Sequence, residues 1–422
     1  MGNFVNWLDK SLSGPMAKLS EQRHLQAIRD GVISALPFII VGSFFLIVAM
    51  PPLPEKWAYT QWAAEHASEI LIPYRLTMFI MSLYISFGIG FNLAKSYNID
   101  PLSGAQIATA AFLLTLVPQV VDGLGFVLPM ANMGGQGLFV AMVTSIVAVE
   151  ILRFCKQKNI TIKMPPQVPP SVSRSFEALI PVAIVILFIS LFTVLLGIDL
   201  HSVVSKAVAP LVKAGDSPFG VIIPVFLITF FWAFGIHGVS IVGTIARPLW
   251  EVYIGKNSEA AAAGEAIPHI APETFYQWFI WIGGSGATLG LVLAMVFFSR
   301  SKYSKALGRT SIIPSIFNIN EPVIFGAPIV LNPILIIPFI ITPLVTATLS
   351  YIATATGLVG PTYIMPPWTL PAPIGAYLAT GGDWRAIVLV LINIAISFAI
   401  YFPFFKMYDN KQKKLEESDI AS

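Results

Sequence analysis

The stretch NINEPVIFGAPIVLNP, residues 318–333, sets one carboxylate, Glu321, among apolar residues, prolines and a glycine. From Thr310 to Gly382 the chain has no Lys, Arg or Asp, and Glu321 is its only Glu. A charged side chain at mid-membrane costs on the order of 3 kcal/mol on insertion scales, so an acid in such a stretch is a functional candidate by default. Asn318 and Asn320 bring amide donors and acceptors beside it, Pro322 disfavours helical geometry at Glu321, and Gly326 and Pro328 keep the segment irregular. A carboxylate flanked by amides suits an array of ligand hydroxyls. The competing reading is a carboxylate at a hairpin tip near the membrane interface.

His237, in FFWAFGIHGVSIVG, is the second candidate, because no other ionisable residue occurs between Ser217 and Ala246. Trp232 precedes it by one and a half helical turns, and Gly235 and Gly238 flank it and permit close approach of a ligand. The third is Trp368 in GPTYIMPPWTLPAPIG, whose prolines forbid a regular helix. Its flat face suits the apolar side of a pyranose, unless it is an interfacial belt tryptophan. The runs PMANMGGQGLF and WIGGSGATLG lack the lysine of a phosphate loop; their glycines serve close helix packing or bring backbone amides to a ligand, with packing the favoured reading. Glu273 and His269, in HIAPETFYQWF, sit on what reads as a re-entrant loop; Glu273 reads as a mouth-lining charge and is not counted among the site residues.

These residues are set in a strongly apolar chain of 422 residues, 56% hydrophobic and 11% charged, with mean hydropathy +0.77, where soluble domains carry roughly a quarter charged residues. The expected fold is an all-α polytopic membrane protein. Apolar stretches at 28–50, 70–94, 105–121, 134–154, 179–198, 219–244, 280–298, 334–356 and 387–405 are read as spans. With the broken pieces at 312–332 and 358–380 this gives about ten transmembrane helices plus two re-entrant hairpins. The N-terminus has no short apolar region followed by a cleavage site, so the first span is expected to stay in the mature chain. Basic residues Lys10, Lys18, Arg23 and Arg29, the loop from Arg153 to Arg174, and the tail lysines from Lys406 to Lys414 place both termini in the cytoplasm.

The net charge of +3 is spread over loops and suggests no nucleic-acid partner. The single cysteine, Cys155, excludes an intrachain disulfide, and the five histidines show no metal-ligand spacing, so neither metal nor cofactor is expected. Residues 201–213, HSVVSKAVAPLVK, read either as an interfacial amphipathic helix bent at Pro210 or as a plain loop. The spans before about residue 200 are continuous and those after it interrupted, which puts the binding site in the second half. The chain is accordingly divided at about residue 200, into 1–200 and 201–422.

NEPVIFGAPIVLNP, with FGIHG, GGSGATLG and the N-terminal EQRHLQAIRDG, resembles the membrane-embedded IIC component of the bacterial phosphoenolpyruvate-dependent sugar phosphotransferase system, in its lactose, cellobiose and diacetylchitobiose branch. The likeness runs along nearly the whole chain, and the NEP segment is its most specific part. It implies a likeness in function too: a homodimeric disaccharide carrier of the bacterial plasma membrane, with 1–200 as an oligomerisation and scaffold domain and 201–422 as a sugar-binding transport domain that moves as a rigid body. The substrate-binding residues by motif match are then Glu321 and His237, with Asn320, Trp232 and Trp368 as pocket neighbours. His237 is also the candidate proton acceptor for the sugar's 6-hydroxyl. The phosphoryl group would come from a cysteine on a separate IIB protein, itself charged by IIA, and the carrier is not expected to hold that group itself. The alternative is an ion-coupled secondary sugar transporter with Glu321 and His237 as a proton relay. A membrane enzyme acting on lipid-linked sugar would need clustered acids or a metal motif near one face, and the sequence offers neither.

Overall fold

The computed structural model describes residues 22–421 apart from 52, 54, 55, 166, 234, 236, 330, 331 and 333. Lys10 and Lys18 of the basic N-terminal segment lie outside the described residues. The chain is mostly helical. It opens with α1, Arg23–Ala49, capped by the Gln22 side chain, which accepts from the N–H of Leu25. At 1.5 Å per residue α1 is roughly 40 Å long, more than the hydrocarbon thickness of a bilayer. It is followed by α2 (Met81–Ser96) and α3 (Pro101–Leu113), the latter with Pro101 in its first turn, where no N–H is needed, and Asp100 as its cap. A short exposed hairpin, β1 (Gln119–Val121) paired antiparallel with β2 (Gly125–Val127), leads to α4 (Leu138–Gln157) and α5 (Pro170–Ser190).

The second half begins with α6 (Leu200–Gly215), capped by Asp199, and α7 (Pro218–Ala233). These two meet at 73°, so 201–213 is a helix rather than a plain loop, with Val204, Val208 and Val212 half-buried and Lys206 exposed. Next come α8 (Gly238–Ala263), α9 (Leu289–Phe298), α10 (Lys302–Ile316), the six-residue α11 (Glu321–Gly326), α12 (Ile336–Ala355), α13 (Ala372–Ala379) and the 38-residue α14 (Trp384–Ala421). Among the described residues, six helical segments are long and apolar enough to cross a membrane, or seven if the bent α6–α7 pair is one span.

Several expected spans take another form. The stretch 105–121 is helical only to Leu113 and its end becomes β1. The stretch 280–298 is helical only from Leu289, because Gly283, Gly284, Gly286 and Ala287 all adopt positive φ, which a helix does not allow. The stretch 219–244 is broken between α7 and α8, and His237 stands at the break rather than in mid-span. Pro322 does not keep Glu321 out of a helix: it lies in the first turn of α11, the position where proline is tolerated.

Two apolar cores hold these elements. One gathers Val32, Ile39, Ile85, Ile89, Leu138 and Leu152 with Val252 and Ile254 of α8. The other runs from Val225 through Trp278, Leu291 and Phe339 to Tyr401. In the first, α2 meets its neighbours through glycines. A Cβ at Gly88 would lie 2.9 Å from the carbonyl oxygen of Gly31, and one at Gly90 only 2.4 Å from that of Gly104. In a membrane, where burial supplies little drive between helices, such close backbone approach supplies the packing energy. The obstacle at Gly90 is backbone and cannot swing aside. Gly90→Val is therefore expected to destabilise the protein by about 1–3 kcal/mol, read as a lower melting temperature in detergent. Gly243→Ala, whose Cβ would meet only Val239 at 3.7 Å, should leave that temperature unchanged or raise it.

Candidate functional site

The break between α7 and α8 is built by glycine and histidine. Gly235 takes φ +81° to turn the chain, and Gly238 lets the start of α8 lie against α7, where a Cβ would fall 2.0 Å from the carbonyl oxygen of Ile228. His237 is the cap of α8: its Nδ1 accepts from the backbone N–H of Ser240 at 3.2 Å and lies 2.8 Å from the Ser240 hydroxyl. Because a backbone N–H can only donate, Nδ1 carries no proton in this arrangement, and the neutral ring holds its N–H at Nε2. The Trp232 ring lies beside the imidazole, 4.5 Å between centroids.

Three irregular segments meet opposite this break. The first is the turn 281–288, whose positive-φ glycines expose backbone groups on both sides. The second is the loop leading into α11, and the third is the stretch around Trp368. Asn318 ties them together: its Oδ1 accepts from the N–H of Gly283 at 3.1 Å, and its Nδ2 donates to the carbonyls of Trp368 at 3.1 Å and Leu370 at 3.0 Å. Asn320 adds a bond from Nδ2 to the Ser285 carbonyl at 2.5 Å. Gly284 is obligatory here, since a Cβ would sit 2.4 Å from the Asn320 side chain. The run at 134–137 instead packs on α8: the N–H of Gly135 donates to Glu259 at 3.0 Å, and Gly135 abuts Gly255.

Between these segments lies a cavity of about 410 Å³, within the usual range for small-molecule sites. Trp232, His237, Asn320, Glu321 and Trp368 all line it, so the structure brings the five residues singled out in the sequence to one place. It also adds residues that sequence reasoning passed over: Arg247 and Glu251 from α8, and Gln277 and Trp278 from the segment after Pro272. Glu273, read as a mouth-lining charge but not counted among the site residues, lines the same cavity and pairs with Arg247 at 3.0 Å. The signal that could have found Arg247 and Glu251 is their spacing of four residues, which puts both on one face of a helix next to His237.

Among the described residues, several buried polar atoms around this cavity have no hydrogen-bond partner. The donors are Nε1 of Trp232 and of Trp278 and Nε of Arg247; the acceptors are both oxygens of Glu251 and Oε2 of Glu273. Buried polar groups are normally paired, so such a mixture of unmet donors and acceptors is what a polyhydroxylated ligand would satisfy. A larger cavity of about 640 Å³ between α6 and α8 holds none of the five residues. Its acid, Asp216, is already satisfied by His269 at 3.1 Å and by the N–H groups of Ile270 and Ala271.

Comparison with known proteins identifies the family. The family described as "Phosphotransferase system, EIIC" matches residues 29–343. The lichenan permease IIC component of Bacillus subtilis (strain 168) is 44% identical over 436 residues, covering 99% of this chain and 96% of the relative. The cellobiose-specific EIIC component of Geobacillus stearothermophilus is 44% identical over 437 residues, with 99% and 96% covered. Among solved structures, the transporter ChbC, the IIC component from an N,N'-diacetylchitobiose-specific phosphotransferase system, superposes with a TM-score of 0.91 at 41% identity, covering 98% of this chain and 99% of that one. With the profile spanning most of the chain and relatives aligned end to end, this protein belongs to the phosphotransferase system EIIC family.

Proposed function

We propose that this chain carries a cellobiose- or diacetylchitobiose-type disaccharide across the membrane and presents it to a phosphorylated IIB protein, with Glu321, His237, Asn320, Trp232 and Trp368 as its substrate-binding residues. The observation that carries the reading is the convergence of those residues on one cavity rimmed by unmet donors and acceptors. Membership of the EIIC family and the apolar helices make the protein a multi-pass component of the bacterial plasma membrane. The same membership leaves the ion-coupled alternative without support.

The finer architecture belongs to the same proposal: about ten crossings, two re-entrant hairpins at the broken pieces 312–332 and 358–380, cytoplasmic termini, a scaffold domain to residue 200 that forms a homodimer, and a transport domain beyond it that moves as a rigid body. Two separate apolar cores, one drawn mainly from residues before 190 and one from residues after 220, support the division. The chemistry follows from the donor and acceptor set. The sugar's 6-hydroxyl attacks the phosphorus on the IIB cysteine, an O–P bond forms as the S–P bond breaks, the IIB thiolate leaves, and the hydroxyl proton passes to a base. With Nδ1 of His237 engaged by Ser240, the ring offers Nε2–H as a donor to a sugar oxygen, and the acceptor role falls to the Glu321 carboxylate. The carrier's share is positioning the hydroxyl in line. Cys155, buried in α4, takes no part.

Glu321→Gln is expected to weaken binding of the cognate disaccharide about 10–100-fold, the worth of a hydrogen bond to a charged group at about 1.5–3 kcal/mol. Titration calorimetry of the purified protein with cellobiose, diacetylchitobiose and lactose measures this, and unchanged affinity for all three would remove Glu321 from the site. His237→Ala should weaken the same binding about tenfold, while His237→Gln, which keeps a donor, should stay within about threefold. Intact sugar affinity in both variants, with phosphorylation by IIB abolished in both, would instead return the proton-acceptor role to His237.

A further inference from the structure

The charged residues of α8 lie far from the histidine that opens it. Taking 1.5 Å of rise per residue, Arg247 stands roughly 15 Å and Glu251 roughly 21 Å along the helix axis from His237. His237, Val239 and Arg247 line the cavity of about 410 Å³ and also an adjoining one of about 430 Å³ that includes Ser240 and Gly243. One face of α8 thus runs along an elongated groove, with the His237 cap at one end and a cluster of Arg247, Glu251 and Glu273 at the other.

That cluster is not self-sufficient. Arg247 meets Glu273 at 3.0 Å through Nη2 and Oε1, but its Nε and the other oxygen of Glu273 remain unmet. Glu251 is fully buried, and neither of its oxygens has a partner among the described residues. A buried carboxylate without hydrogen bonds is costly, and here one arginine stands against two acids. Three acceptor atoms beside the donors Nε of Arg247 and Nε1 of Trp278 match hydroxyl groups, each of which donates and accepts at once. An arginine already paired with Glu273 leaves no spare cation here for an anionic ligand, and an apolar one would leave every one of these atoms unpaired.

We infer that Arg247, Glu251 and Glu273 form a second subsite, which binds the hydroxyl groups of the sugar ring remote from Glu321 and His237 and so makes the carrier select an uncharged two-ring ligand over a single ring. The inference rests on the sugar-carrier reading above. Buried groups built to hold a hydroxyl reject strongly a ligand that lacks it, because they are then left unpaired, and this gives the cluster its selectivity.

The test compares cellobiose with methyl β-glucopyranoside, its one-ring counterpart, on the purified full-length protein, using tryptophan fluorescence and, for weak binding, saturation-transfer NMR. Glu251→Gln should weaken cellobiose binding at least tenfold and change that of the one-ring ligand less than twofold. Equal weakening of both ligands, or cellobiose affinity within twofold of the parent, overturns the assignment. If Glu251→Gln does not give a monodisperse protein, the double variant Arg247→Gln/Glu273→Gln, which removes a charge pair without stranding either partner, must show the same selective loss, and unchanged cellobiose affinity in it overturns the assignment equally. Glu321→Gln runs alongside: it should weaken both ligands, and if it weakens neither, the sugar site itself is misassigned, whatever Glu251→Gln shows.

Discussion

An irregular backbone in an apolar slab has no water to satisfy its N–H and C=O groups, so the protein around it must do so. The site depends on how that requirement is met. Asn318 alone joins the glycine turn to the loop around Trp368 through three bonds between 3.0 and 3.1 Å, and Asn320 fastens the same turn from the other side. Asn318 spends both ends of its amide on backbone and Asn320 only its Nδ2, so Glu321 and the Oδ1 of Asn320 are the polar groups of NINEP left for the cavity they line. Asn318 therefore acts chiefly by fixing where the carboxylate points.

The rear of the glycine turn is anchored in the same way by α14. The hydroxyl of Tyr401 donates to the Gly286 carbonyl at 2.8 Å and that of Ser397 to the Ala287 carbonyl at 2.6 Å, while Asn393 reaches the Phe279 carbonyl and the Ser350 hydroxyl at 2.9 Å each. Side chains one turn apart on a long helix thus hold the glycine turn, the helical segment before it and the middle of α12 in register. A group that must align a hydroxyl for in-line attack gains from such fixed support, since small misplacements of a reacting atom cost rate steeply.

The sequence made the acid, the histidine and the two tryptophans legible because each is an exception within an apolar run, and an exception in hydrocarbon has to be compensated. Helix ends were less legible. The stretch 280–298 reads as one span by hydropathy, and only the φ values of Gly283, Gly284 and Gly286 reveal that nearly half of it is a turn. Hydropathy likewise runs unbroken across the boundary of α7 and α8, where steric contact between Gly238 and Ile228 decides the geometry. Arg247 and Glu251 escaped for the opposite reason. They lie among other charged residues in the sequence, where charge is unremarked, and become exceptional only when folding sets them at the cavity, Glu251 fully buried.

The cavity's remaining wall comes from α1, through Leu36 and Ile40. The side chains of these residues offer a ligand no hydrogen bond, whereas the polar residues that line the cavity all belong to the chain between Trp232 and Trp368. That asymmetry bears on the proposed rigid-body movement. A ligand held by polar groups on one side of an interface and by apolar contact on the other can travel with the first and slide past the second without exchanging a directional bond. Dispersion contacts to Leu36 and Ile40 are individually weak, on the order of 0.1–0.2 kcal/mol per atom pair, and re-form as the surfaces slide. Hydrogen bonds to a static wall would have to break before the sugar could move. The apolar character of this stretch of α1 therefore suits a wall that shields the ligand from lipid while leaving it free to leave with its carrier.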